Sequence, residues 1–129
     1  MSNLAGLLLF LLYFGLGVGM LAGFTRLYLW LTPYDEAKDI GAGNLAPAIA
    51  LGGAMLGFTF PLVVASYTHV TLLGFIAWGI FACIAQLAVF QLLYRFLPNV
   101  IEANNVAGAT CFAATSVCVG LINAASFIP

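Results

Sequence analysis

Charge is what this sequence has least of. Charged residues make up 5% of the chain, three Lys or Arg against four Asp or Glu, while hydrophobic residues make up 64%. A soluble domain with so few charges could not cover its surface in water, so the solvent that fits is lipid. A net charge of −1 with scattered cations offers no basic patch, which excludes nucleic acid as a partner. The opening stretch MSNLAGLLLF lacks the basic residues of a signal peptide and continues apolar past the usual h-region, so Met1 is expected to remain. Catalytic and metal chemistry are equally short of parts. Cys83, Cys111 and Cys118 have neither CxxC spacing nor a histidine on the same apolar run, so no metal site is expected. His69 stands alone in a short connection, where an interfacial hydrogen bond is its expected role. Ser116 and Thr115 have no His, Lys or Asp at the same depth to activate them, so neither enzymatic activity nor a cofactor is expected.

What the chain does have is long apolar runs. One goes from about Leu4 to Leu31 and stops at TPYDE, where Pro33 and nearby acids end a helix. A second follows Asn44 and ends near Val64, a third covers Thr71 to Phe96, and a fourth runs from Val106 to Phe127. Each is long enough to cross a hydrocarbon layer of about 30 Å. The fold class is therefore all-α integral membrane protein, in a single membrane domain spanning residues 1–129. Arg26 and Lys38 flank the first connection and Arg95 the third, whereas SYTHV and both chain ends carry no Lys or Arg. The positive-inside rule then places the first and third connections in the cytoplasm and both termini outside, in the periplasm. Tyr28, Trp30, Tyr34 and Tyr94 gather at the inner boundary, with Tyr67 and Trp78 near the outer one, as interfacial aromatic belts require.

The two halves share a plan. Pro33 and Asn44 bracket one connection and Pro98 and Asn105 the other, and after each Asn the alanines recur, Ala46 with Ala107 and Ala48 with Ala109. This order reads as two tandem two-helix repeats, 1–66 and 67–129. An even number of helices per unit relates them by an axis along the membrane normal. Asn44 and Asn105 are each placed to cap a helix, Asn44 on the Ala46 amide because Pro47 has no N–H. Pro61 is expected to kink the second helix by removing the bond to Gly57. Gly15, Gly19 and Gly23 form a double GxxxG on the first helix. Ala46, Ala50, Gly53 and Gly57 make a small-residue stripe on the second, and Ala109, Ala113, Ser116, Gly120 and Ala124 one on the fourth. In lipid such stripes let backbones approach closely, and three of them in one small bundle point to a homo-oligomer.

Polar groups within the apolar runs are few. Gln86 falls mid-way along the third, with an interhelical hydrogen bond as its simplest role; with Thr115 and Asn123 it forms a candidate polar path. Asp35, Glu36, Asp39 and Glu102 form a candidate acidic cytoplasmic edge, solvated and repeated in an oligomer as a ring that concentrates cations. YDEAKDI fits a short surface helix there, and Arg26 is expected to snorkel toward the same surface.

The stretch LTPYDEAKDIGAGNLAPAIALGGAMLGFTFPL, with AWGI and GLINAAS after it, resembles the YjfL-type bacterial inner membrane proteins, the family named domain of unknown function 350. The TPYDE turn, the GN before the second helix, LGF with Pro61, and Asn123 carry the resemblance; Pro47 departs from it, standing where relatives have alanine. The resemblance implies a two-helix unit present twice. It also implies partners among membrane-remodelling or polyamine-related proteins. The expected function is a non-catalytic, homo-oligomeric module or scaffold of the inner membrane that serves envelope maintenance. The alternative is a small ion or solute channel or transporter with an acidic cytoplasmic vestibule. Multidrug exporters of this size carry a mid-helix glutamate that is missing here, and an intramembrane enzyme is the weakest reading.

Overall fold

A computed structural model describes residues 3–68 and 71–126, without the side chains of residues 67 and 68. His69, Phe127 and the side chain of Tyr67 lie outside this description. Among the described residues there are five helices: α1 (Asn3–Leu31), α2 (Glu36–Gly41), α3 (Leu45–Thr68), α4 (Leu72–Phe96) and α5 (Val106–Ala125). All but α2 are long and apolar enough to cross a membrane. They match the four runs read from the sequence, and α2 is the short helix expected in YDEAKDI.

The helices run up and down, so the connections before α3 and before α5 meet at one end. They are built alike. Asn44 N–H donates to the Asp39 carbonyl and Asn105 N–H to that of Val100, both at 3.0 Å, and the residue before each Asn bonds three residues back. This is how a last turn closes when its terminal residue is left-handed. Gly43 (φ +90°) and Asn104 (φ +55°) supply that conformation. Asn105 caps α5 as expected, accepting from Gly108 N–H at 3.1 Å. The cap on α3 differs from expectation. The Ala46 amide donates to Asn104 Oδ1 at 2.9 Å, so the other connection fills the role foreseen for Asn44.

Helix α3 is the centre, and its contact with α5 is the most extensive among the described helices. Small residues explain it. A Cβ on Gly53 would lie 2.4 Å from Ala113 Cα, one on Gly57 2.3 Å from the Ser116 carbonyl oxygen, and one on Gly120 2.0 Å from the Gly57 carbonyl oxygen. Without a hydrophobic drive between helices in lipid, backbone contact of this kind is what holds them. Helix α3 continues through Pro61. Proline lacks the N–H that the Gly57 carbonyl would otherwise accept. That carbonyl lies against Gly120 instead.

Helix α1 is peripheral. Phe24 stacks on Phe58 at 4.7 Å, Tyr28 meets Phe90 at 4.7 Å, and Tyr13 meets Phe75 at 5.3 Å. The Met20 methyl fills the notch left by Gly79. Gly15, Gly19 and Gly23 are exposed, and a Cβ on any of them would meet nothing within 4 Å. Of the three small-residue stripes, two are used against each other and the third faces away from its own bundle.

Candidate functional site

At the end where α1 gives way to α2, four polar side chains turn inward. Tyr28, Thr32 and Glu36 recur every fourth residue, and Pro33 breaks the helix between the last two. The chain bends there, but the Thr32 amide still reaches the Tyr28 carbonyl at 3.1 Å. Asp35 caps α2 by accepting from Lys38 N–H at 3.3 Å. These two bonds set Glu36 back over the end of α1, where Thr32 Oγ1 donates to its Oε1 at 2.8 Å. Glu36 is 2% exposed, Tyr28 1% and Thr32 8%. The acidic edge read from the sequence therefore loses one member. Asp35 and Glu102 are exposed and Asp39 half-buried, but Glu36 is turned into the protein, because its partner Thr32 and the aromatic end of α1 lie on that side.

Three oxygens in this cluster are buried without a hydrogen-bond partner: Glu36 Oε2, Tyr28 Oη and Tyr34 Oη. The two tyrosine hydroxyls are neighbours, though not in hydrogen-bonding geometry, and both lie within electrostatic reach of Glu36. Tyr34 in turn stacks on Tyr94, whose hydroxyl donates to Glu102. Loss of water pushes the Glu36 carboxyl above its ordinary range, the Thr32 bond pulls it down, and the charges of Asp35 and Asp39 raise it further. Burial likewise raises the Tyr34 phenol. The cluster can accept hydrogen bonds and exchange a proton. Its spacing of four was present in the sequence, but only the bend at Pro33 decides that Glu36 follows Tyr28 and Thr32 inward.

Gln86 and the Asn123 amide nitrogen, two members of the candidate polar path, have no hydrogen-bond partner. Gln86 is 2% exposed, and its Oε1 lies 2.8 Å from where a Cβ on Gly57 would be, so it sits at the junction of α3, α4 and α5. Asn123 Nδ2 is likewise buried. Thr115 is half-buried. Cys83 is half-buried, Cys111 and Cys118 are exposed, and all are free. Among the described residues no three His, Cys, Asp or Glu side chains converge.

The profile described as Domain of Unknown Function (DUF350) matches residues 1–127. The chain belongs to this family. It is 33% identical to the UPF0719 inner membrane protein YjfL of Escherichia coli K12 over 97% of both chains. The UPF0719 inner membrane protein YjfL of E. coli O157:H7 is similar to the same degree. The UPF0719 transmembrane protein YshE of Bacillus subtilis is 31% identical over 66% of this chain and 63% of its own. No solved structure matches the chain. With four apolar helices and these relatives, the chain is a membrane protein of the DUF350 family.

Proposed function

We propose that this protein is a non-catalytic, homo-oligomeric module of the bacterial inner membrane, in which the α1 glycine face receives a second copy of the chain. The supporting observation is that Gly15, Gly19 and Gly23 line an exposed helix face with open space above each Cα. Residues of the same kind on α3 and α5 already bring two backbones into contact. The paired connections, with the same backbone bonds at Asn44 and Asn105, support two tandem repeats about an axis along the membrane normal. Exposed Arg26, Lys38 and Arg95 at the end that carries both connections support a cytoplasmic placement of that end. There Asp35, Asp39 and Glu102 would present negative charge to a partner of the membrane-remodelling or polyamine-related kind. The name of the E. coli relative supports the inner membrane.

Gly19→Leu tests this reading. It fills the centre of the face with a large side chain and should reduce the assembly to single chains on size exclusion in mild detergent, with the helix content retained. Leu56, exposed on α3, is the control position, and Leu56→Ala should leave the assembly intact. Assemblies of unchanged size in Gly19→Leu would remove the α1 face from consideration.

One observation favours a second reading, conduction of a small ion or solute. Gln86 brings an unpaired amide to mid-span, where an orphaned polar group is costly unless it has work to do. If it is only an orphaned buried amide, with no interhelical bond to lose, Gln86→Leu should hold or raise stability, by up to about 2 kcal/mol, and leave permeability alone. If it lines a passage, dye-loaded liposomes should show a wild-type flux that Gln86→Leu abolishes by dewetting.

A further inference from the structure

The seam between α1 and α3 stays open along one flank as a furrow in two sections. The section farther from α2, about 450 Å³, is lined by Phe14 and Gly17 of α1 and by Leu62 and Val63 of α3. The other, about 400 Å³, runs toward the α2 end past Thr25 and Arg26 of α1 and Met55 of α3. Val18 and Leu21 line both, so the two sections are continuous. The hydroxyls along the furrow are already engaged by their own helices. Thr25 Oγ1 donates to the Leu21 carbonyl at 2.9 Å, Thr59 Oγ1 to that of Met55 at 2.8 Å and Ser66 Oγ to that of Val63 at 2.6 Å. The walls therefore offer carbon to an occupant, and Arg26 is the one charged residue among those that line them.

Arg26 has no counter-charge within the chain. Among the described residues it forms no ion pair, and Asp35, Glu36, Asp39 and Glu102 all lie outside the four spans. It stands about one helical turn inside Trp30, an exposed aromatic of the boundary. A guanidinium at that depth snorkels toward the surface, where the anion it meets is a lipid phosphate, which it can hold by two parallel N–H···O bonds. We propose that the furrow binds one anionic glycerophospholipid from the leaflet at the α2 end, its phosphate on Arg26 and an acyl chain along the furrow. The length suits a chain. From Arg26 to Phe10 the helix rises about 24 Å, and one leaflet of hydrocarbon is about 15 Å deep. The exposed rings of Phe10 and Phe14, stacked at 5.5 Å, flank the far end.

Charge selects the lipid. A zwitterionic headgroup brings its own cation beside its phosphate and leaves Arg26 unbalanced, whereas one net negative charge neutralises it. A second copy of the chain fits the furrow less well, because it has no acid at membrane depth to meet Arg26. Gly15, Gly19 and Gly23 line neither section. The furrow and the glycine face are thus separate surfaces, and the lipid site does not depend on the assembly.

The test uses the full chain in mild detergent, incubated with equal amounts of phosphatidylglycerol and phosphatidylcholine that carry the same acyl chains. Native mass spectrometry then counts the lipids retained. Phosphatidylglycerol should be kept about fivefold over phosphatidylcholine. Arg26→Gln should remove that preference, and Arg95→Gln, at an exposed cation outside the furrow, should leave it intact. Val18→Trp, at an exposed position shared by both sections, should lower retention of both lipids without changing the assembly size on size exclusion. Should these variants fail to fold, the wild type still decides. Phosphatidylglycerol with a photoreactive diazirine in its tail should crosslink to peptides containing Val18, Leu21 and Met55. Excess unlabelled phosphatidylglycerol should suppress those crosslinks, and inorganic phosphate should not. Equal retention of the two lipids by the wild type, a preference that persists in Arg26→Gln, or crosslinks confined to other segments would each overturn the site. Suppression by inorganic phosphate would reduce it to a headgroup contact and overturn the furrow's part. A Val18→Trp chain whose assembly splits while its lipid retention stays the same would give the furrow to a second copy instead.

Discussion

Asn44 and Asn105 hold the same place in their connections, yet only Asn105 caps its own helix through its side chain. The Ala46 amide of α3 turns instead to Asn104, one residue earlier in the other connection, because a left-handed backbone there aims its side chain across the gap. Two effects can be separated at this residue. Asn104→Gly keeps the backbone conformation and loses the cap, and should cost about 1 kcal/mol. Asn104→Ala loses the cap and also strains a left-handed backbone, adding about 1 kcal/mol more. Asn44→Ala should stay within about 0.5 kcal/mol, as substitutions away from such features do. Thermal unfolding of the three variants in one detergent checks the order; an Asn44→Ala loss larger than that of Asn104→Gly would mean that α3 is capped by its own residue after all.

Among elements, the α3–α5 pair decides the shape of the bundle. Its contact is made by backbones, so it cannot adjust by moving a side chain. A Cβ on Gly120 would fall 2.0 Å from the Gly57 carbonyl oxygen, whereas one on Gly52 would meet nothing within 4 Å. Gly120→Ala must therefore force the helices apart and should destabilise by about 1 to 3 kcal/mol. Gly52→Ala should be neutral or mildly stabilising, since alanine is the better helix former by about 1 kcal/mol. Equal melting temperatures for the two variants would mean that the close approach contributes nothing. Helix α1 is held differently, by aromatic rings and by Met20 in the Gly79 notch, so its glycines are not consumed within the chain.

At the scale of the whole molecule, sidedness follows from the end that carries both polar connections. A reporter inserted at Lys38 should be active only in the cytoplasm, and one fused after Pro129 only outside. Activity on both sides for each fusion would indicate dual topology, which a bundle with all its cations at one end should not adopt. The same end carries the Glu36 cluster, so this experiment also says which compartment the groove beside it faces.

Hydropathy alone was enough for the four spans and the membrane class, because in lipid a run of apolar residues must close its own backbone bonds as a helix. The likeness of the two connections was also visible, through their Pro and Asn residues. Which stripe meets which was not. GxxxG spacing marks a face able to approach another backbone without naming the partner, and only tertiary structure set Gly53 and Gly57 against Ser116 and Gly120 while leaving Gly15, Gly19 and Gly23 outward. The fate of Glu36 was hidden for a similar reason. Among Asp35, Glu36 and Asp39 the sequence offers three acids of one kind in a short helix. Burial depends on where that helix points, and the bend after Thr32 points Glu36 at the aromatic end of α1.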